Sequence, residues 1–172
     1  MKRSLEGLPE LSPLPAGLRL RSLTPNDAPR YVELMQANAE LGNWDRERVI
    51  KMTESSIPFS EIFVIEDEHS RFLATACVGP ASPDYPSDAV ALGWVASRPE
   101  AKGQGLGYAV CLAAMWRARE RGFHQMMLLT DDWRLPALRL YLKLGFQPDC
   151  RAHPSFVGRW ETIHRILNEA QD

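Results

Sequence analysis

A chain of 172 residues, 45% hydrophobic and 24% charged, has the length and composition of one globular domain able to bury its own core. Its formal net charge of −2 argues against a nucleic-acid surface and against a polybasic membrane anchor, since either needs a surplus of Lys and Arg, and small molecules are the expected partners. Cys77, Cys111 and Cys150 lie far apart with no C-x-x-C pair and the four histidines lack ligand spacing, so neither disulfides nor a metal is expected, and the reducing cytoplasm is the expected compartment.

Residues 1–16 hold Pro9, Pro13 and Pro15 among small and apolar residues and read as an extended lead-in to a single domain over residues 17–172. No apolar signal core stands at the start, and no apolar run reaches membrane-spanning length. Alternating Leu and Arg over 18–23 predict a half-buried strand. Thr24-Pro25-Asn26-Asp27 is a capping box with Pro at the first helical position, opening a helix that carries Tyr31, Leu34 and Met35. Asp45 is placed to cap a second helix running to about Thr53. Residues 62–65 and 72–78 are strands joined by a polar hairpin turn, and 79–87, with Pro80, Pro83 and Pro86, is a loop.

Residues 90–97 are almost continuously apolar and predict a central strand covered on both faces. The strand ends in Val95-Ala96-Ser97 and runs through Arg98-Pro99-Glu100-Ala101 into Lys102-Gly103-Gln104-Gly105-Leu106-Gly107-Tyr108. Alternating glycines keep side chains off the backbone, and a helix starting near Leu106 points its first N–H groups and the positive end of its dipole at the same spot, so an anionic cofactor is the expected occupant. Neither Gly103 nor Gly105 opens a G-x-G-x-x-G dinucleotide fingerprint, because the sixth residue is Tyr108 or Val110, and no Gly-Lys-Ser/Thr completes a P-loop. What remains is a basic residue followed by the three glycines.

The helix from Leu106 is apolar nearly all round for three turns, turns basic at Arg117, Arg119 and Arg121, and stops at Gly122. Those arginines suit a solvated helix end better than a phosphate site. Residues 126–129 predict a buried strand. Asp131 and Asp132 stand where capping carboxylates precede a helix. In that helix Ala137 and Tyr141 share a face, Pro136 suits the first turn, and Gly145 is a left-handed stop before a further strand at Phe146. Trp160, Ile163, Ile166 and Leu167 mark an amphipathic C-terminal helix that closes the core or forms a homodimer contact.

Lys102-Gly103-Gln104-Gly105-Leu106-Gly107 resembles the coenzyme A pyrophosphate loop of the GNAT family of N-acetyltransferases, where Arg or Gln usually leads. The frame Ala137-x-x-x-Tyr141-x-x-x-Gly145-Phe146 is similar to that family's later motif. The likeness covers about residues 18–146. It implies an α+β fold, a mixed central sheet flanked by helices, in which the strands ending at Ser97 and starting at Met126 splay apart. It also implies that backbone groups of Val95, Ala96 and Ser97 pair with the pantetheine arm of acetyl-CoA, and that an amine acceptor sits against the early helices. Tyr141 matches the tyrosine that protonates the departing thiolate; a ring packed in the core is the plain alternative. Trp133 stacks on the cofactor cleft or packs, and Trp94 lies beside the same cleft.

Two departures stand out. The segment Ala89-Val90-Ala91-Leu92-Gly93-Trp94-Val95 has no carboxylate where many members carry one, which leaves bound water, Asp131, Glu66 or His124 as the base. Arg134 replaces the usual Asn seven residues before Tyr141, so the 130–134 segment meets the cofactor arm differently. The expected function is acetyl-CoA-dependent N-acetylation of an amine. The alternatives are a coenzyme A-binding regulatory module without turnover, or an acyltransferase with another donor or a hydroxyl acceptor.

Overall fold

A computed structural model describes residues 1–38, 41–54, 60–151 and 153–169. Among them a six-stranded sheet has the order β1-β6-β5-β4-β3-β2, formed by β1 (Lys2–Ser4), β2 (Arg19–Ser22), β3 (Glu61–Glu66), β4 (Phe72–Pro80), β5 (Ala89–Ser97) and β6 (Gln125–Met127). The helices are α1 (Ala28–Gln36), α2 (Arg46–Thr53), α3 (Leu106–Glu120), α4 (Leu135–Lys143) and α5 (Ser155–Glu169). Every neighbouring pair of strands is antiparallel except β5 and β6.

The local signals act where the sequence places them. Asp27 accepts from the backbone and hydroxyl of Thr24, each at 2.9 Å, and a 3-10 turn over Pro25–Asp27 leads into α1. Asp45 accepts from the Arg48 N–H at 2.8 Å and starts α2. Gly145 takes a φ of +84° and ends α4, because a residue with a Cβ would be strained there. The long apolar α3 buries Val110, Cys111, Leu112, Ala114 and Met115 on one face of the sheet, and α1 and α2 bury Tyr31, Leu34, Met35, Trp44 and Val49 on the other.

Several boundaries differ from expectation. β4 continues to Pro80, which pairs with Val90 at the end of the ladder, a position that a residue without an N–H can hold. β6 is short: Leu128 is buried but Leu129 is 85% exposed. Phe146 does not begin a strand; Gln147 makes only an isolated bridge to Lys2. Most consequential are residues 1–8, where the proline-bearing segment supplies an edge strand and core side chains. Lys2, Arg3 and Ser4 pair with Met127, Met126 and Gln125, Leu5 and Leu8 are buried, and the Trp116 indole donates to Pro9 O at 2.8 Å.

The parallel pair is short by the same geometry. β5 and β6 are in register only over Ala89–Ala91 against Gln125–Met127, after which β5 runs on to Ser97 without β6. On the other edge of β6 the ladder with β1 runs one residue further, Leu128 exchanging backbone hydrogen bonds with Met1, its N–H at 2.9 Å and its carbonyl at 2.8 Å. β5 and β6 part there. The expected cover of β5 on both faces holds, with Val90 and Leu92 buried on the α3 side and Ala96 on the other, and Trp94 is the exposed exception.

Candidate active site

β5 delivers the chain directly into the glycine turn. The Arg98 N–H is held by Leu73 O at 2.8 Å, Pro99–Ala101 forms a 3-10 turn, and Lys102, Gly103, Gln104 and Gly105 are exposed. Gly105, at φ +76°, is the residue before α3, and no side chain caps the helix. Its first N–H groups and the dipole's positive end are thus available at an exposed, side-chain-free turn, which is the requirement for an anion site.

Gly107 is where three elements meet. A Cβ added there would stand 3.4 Å from both the Leu140 Cδ2 on α4 and the Ser97 Oγ at the end of β5. The glycine turn, the open end of β5 and α4 are therefore in contact, and the expected cofactor residues Val95, Ala96, Ser97, Lys102, Gly103, Gln104, Gly105, Leu106, Gly107 and Tyr108 form one continuous stretch around the gap left by β6. Lys143 on α4 holds its ammonium 5.3 Å from the Tyr108 ring centre. A cavity of about 180 Å³ adjoins the turn, with Leu11, Pro13, Gln104, Gly105, Tyr108 and Leu112 in its wall.

Tyr141 is 6% exposed and meets Phe146 edge-on with centroids 6.1 Å apart. Burial drives its phenol well above the ordinary range, the neighbouring Cys111 thiol adds to this, and the Arg134 charge partly offsets it. The phenol therefore keeps its proton at neutral pH. Ala137 is half-buried on the same helix, Trp133 is 60% exposed, and the Arg134 guanidinium lies 5.5 Å from the Trp133 ring centre. Stacking on Trp133 is open to a ligand; packing of its ring in the core is not what the fold shows.

The structure disposes of several other candidates. Glu66 is buried among arginines, accepting from Arg21 at 2.8 Å, and these hydrogen bonds depress its pKa. It is a structural anion, not a base. His124 precedes β6, its backbone bonded to Asp88 O, at the end of the parallel pair opposite the gap. Neither Asp131 nor Asp132 caps α4, whose preceding residue is Arg134; Asp132 instead accepts from Arg159 of α5 at 2.7 and 2.8 Å. Arg117 and Arg121 pair with Glu61 at 3.3 and 2.9 Å at the far end of α3. Among the described residues no cluster of three or more His, Cys, Asp or Glu could hold a metal ion, and no helix is long and apolar enough to cross a membrane.

One group escaped the sequence reading. β5 bulges between Gly93, paired with Cys77, and Ala96, paired with Thr75, so Trp94 and Val95 face the single residue Ala76. Trp94 adopts φ +48° and meets Trp44 edge-on at 4.9 Å, with the Arg48 guanidinium 3.8 Å from the Trp44 ring centre and 4.7 Å from that of Trp94. The only sequence signal was the spacing of Trp44 and Arg48, which nothing tied to a residue fifty positions away.

Comparison with known proteins places this geometry. The acetyltransferase (GNAT) family model matches residues 28–146. A mycothiol acetyltransferase of Actinosynnema mirum is 30% identical over 159 residues, covering 85% of this chain and 50% of that protein. One from Saccharomonospora viridis is 31% identical over 148 residues, covering 78% and 47%. The chain thus spans about half the length of these curated relatives. In fold it is similar to the ribosomal-protein-S18-alanine N-acetyltransferase of Escherichia coli (TM-score 0.64, 21% identity, 77% of this chain and 79% of that one). It is also similar to a putative acetyltransferase of Salmonella typhimurium solved with acetyl-CoA (TM-score 0.66, 18% identity, 76% and 80%).

Proposed function

The chain belongs to the GNAT acetyltransferase family, and we propose that it transfers the acetyl group of acetyl-CoA to an amine in a ternary complex. The observation that carries this reading is the convergence at Gly107: an uncapped α3, the open edge of β5 and α4 meet at the mouth of the gap between β5 and β6. The N–H groups from Gly105 to Tyr108, with Lys102 beside them, would take the pyrophosphate. The pantetheine arm would then run along the β5 edge that β6 leaves, pairing with backbone groups of Val95, Ala96 and Ser97, while Trp133, Arg134 and Ala137 flank it from the α4 side.

The chemistry asks little of the protein beyond position and one proton. A neutral amine attacks the thioester carbonyl, the backbone of β5 near its bulge supplies N–H donors to the carbonyl oxygen, and Tyr141 gives its proton to the departing sulfur. An acceptor amine must be deprotonated first. No carboxylate on β5 serves, and bound water and the exposed Asp131 are the remaining candidates of those named from sequence. Buried Cys77 and Cys111 and half-buried Cys150 suit a reducing, cytoplasmic setting. A homodimer through α5 is supported only by the outward Val157 and Ile166, and size-exclusion chromatography with light scattering tests it.

The test is acetyl-CoA consumption across a panel of amines, run beside calorimetric titration with coenzyme A. Saturable binding and turnover support the reading. Binding without turnover on any amine would make the chain a coenzyme A-binding module, and absence of binding would remove the site assignment altogether.

A further inference from the structure

We propose that Arg48, framed by Trp44 and Trp94, recognises an anionic group on the acceptor, so that the substrate is an amine that also carries a carboxylate. The proposal rests on the acetyl-transfer reading and names the substrate class of that site.

Arg48 donates to the Asn43 carbonyl at 2.7 Å and lies against two indoles that stand at 88° to each other, yet no carboxylate pairs with it among the described residues. Arg21, Arg30, Arg71, Arg151 and Arg159 in the same molecule each pair with one. A half-buried guanidinium held by two perpendicular rings and one carbonyl still has N–H donors to spare, and such a planar fork matches a carboxylate bidentately. The indoles and the hydrogen bond to Asn43 restrain the guanidinium in advance, which lowers the cost of ordering it on a ligand.

The position suits an acceptor and not the coenzyme. The glycine turn opens on the face of the sheet that α3 covers, whereas Trp44 belongs to the cluster packed by α1 and α2 on the opposite face. Trp94 meets that second cluster from β5. It stands on β5 three residues before Ser97, at the bulge, in a left-handed conformation that a tryptophan keeps only where its surroundings impose it. An acyl group brought along the open edge of β5 from the Ser97 end arrives at this bulge. On the Trp44 side of the group a cavity of about 360 Å³, lined by Gln36, Gly42, Asn43 and Trp44, has room for the rest of a small acceptor.

Two measurements on the full chain test the assignment. In the first, the common α-amino acids and their carboxamides are compared as acceptors. The acids should be preferred by at least ~10-fold in kcat/KM, Arg48→Gln should abolish the preference through acceptor KM with acetyl-CoA KM unchanged, and Arg48→Lys should restore part of it. In the second, tryptophan fluorescence is titrated with N-acetyl amino acids, their amides and 2-aminoethyl phosphate, which needs no turnover. Saturable quenching by the N-acetyl acids that is lost in Arg48→Gln is the expected result. Such quenching without turnover on any amine would end the acetyl-transfer reading and leave the carboxylate site standing. Equal response to acid and amide, a stronger response to the phosphate, or an unchanged preference in an Arg48→Gln protein that melts like the parent would overturn the proposal. The acid-to-amide ratio on the unaltered chain decides the matter if the Gln variant does not fold.

Discussion

At Tyr141, burial determines what the side chain can do: a phenol 6% exposed, with its pKa raised by loss of solvent, keeps its proton throughout the neutral range. Replacing it with Phe keeps the ring against Phe146 and removes only the hydroxyl. Single-turnover acetyl transfer should then fall ~100-fold while coenzyme A affinity is retained, because general acid catalysis is worth at least that much and thiolate is already a fair leaving group. The raised pKa has a sign: the acid form persists as pH rises, so the single-turnover rate should show no Tyr141-dependent decline up to about pH 10, the ordinary tyrosine value. A Phe variant that melts lower and turns over like the parent would make the residue structural. Gly105 carries a different demand. A Cβ there meets nothing within 4 Å, but φ +76° strains any other residue, so Gly105→Val should cost about 1–2 kcal/mol in urea unfolding besides obstructing the phosphate's approach. Coenzyme A affinity unchanged in the folded variant would move the pyrophosphate site elsewhere.

At the scale of elements, the ends of the chain and the entry to α1 show how local signals acquire distant partners. The capping box at Thr24 was legible, because four consecutive residues make it. Its Asp27, however, also takes Arg21 of β2 at 2.6 Å and pairs with Arg30, and Arg21 reaches on to Glu66 of β3. Hydrogen bonds from Arg21 and Thr24 outweigh burial and hold Asp27 below the usual carboxylate range; the same arginine lowers Glu66. Depressed carboxylates contribute stability that is complete above their unfolded values near ~4 and lost as pH falls through the folded ones. Acid unfolding should therefore steepen below about pH 4, and Asp27→Asn should destabilise by about 3 kcal/mol at pH 7 and flatten that acid limb in pH-resolved melts. β1 was invisible for a related reason. Three residues paired to a strand more than a hundred positions later leave no periodicity to read. Leu5, fully buried, gives the check: Leu5→Ala should cost about 2–5 kcal/mol by denaturant unfolding, whereas in a detached lead-in it would cost nothing.

For the molecule as a whole, the proposed ligand site is a gap in the sheet between β5 and β6. β6 leaves β5 after three pairs while its other edge stays paired with β1 through Leu128 and Met1, and α3 and α4 meet at Gly107 beside the opening. A ligand that fills such a gap binds the folded state alone, so acetyl-CoA at 100 times its Kd should add about 2.7 kcal/mol, raising Tm by roughly 5–10 °C in a chain of this size. No shift at saturating acetyl-CoA would contradict the site. The family, the glycine turn and the Tyr141 helix were all legible in the chain, since each is a run of neighbouring residues whose spacing is dictated by a turn or a helical face. So were α1, α2 and the central strands, for the same reason. Only the tertiary structure decided that residues 1–8 complete the sheet, that Glu66 and Asp132 are bound to arginines, and that Arg48 meets Trp94 across a bulge. Those are contacts between segments with no local constraint on each other, and their geometry exists only once the sheet has set the distances.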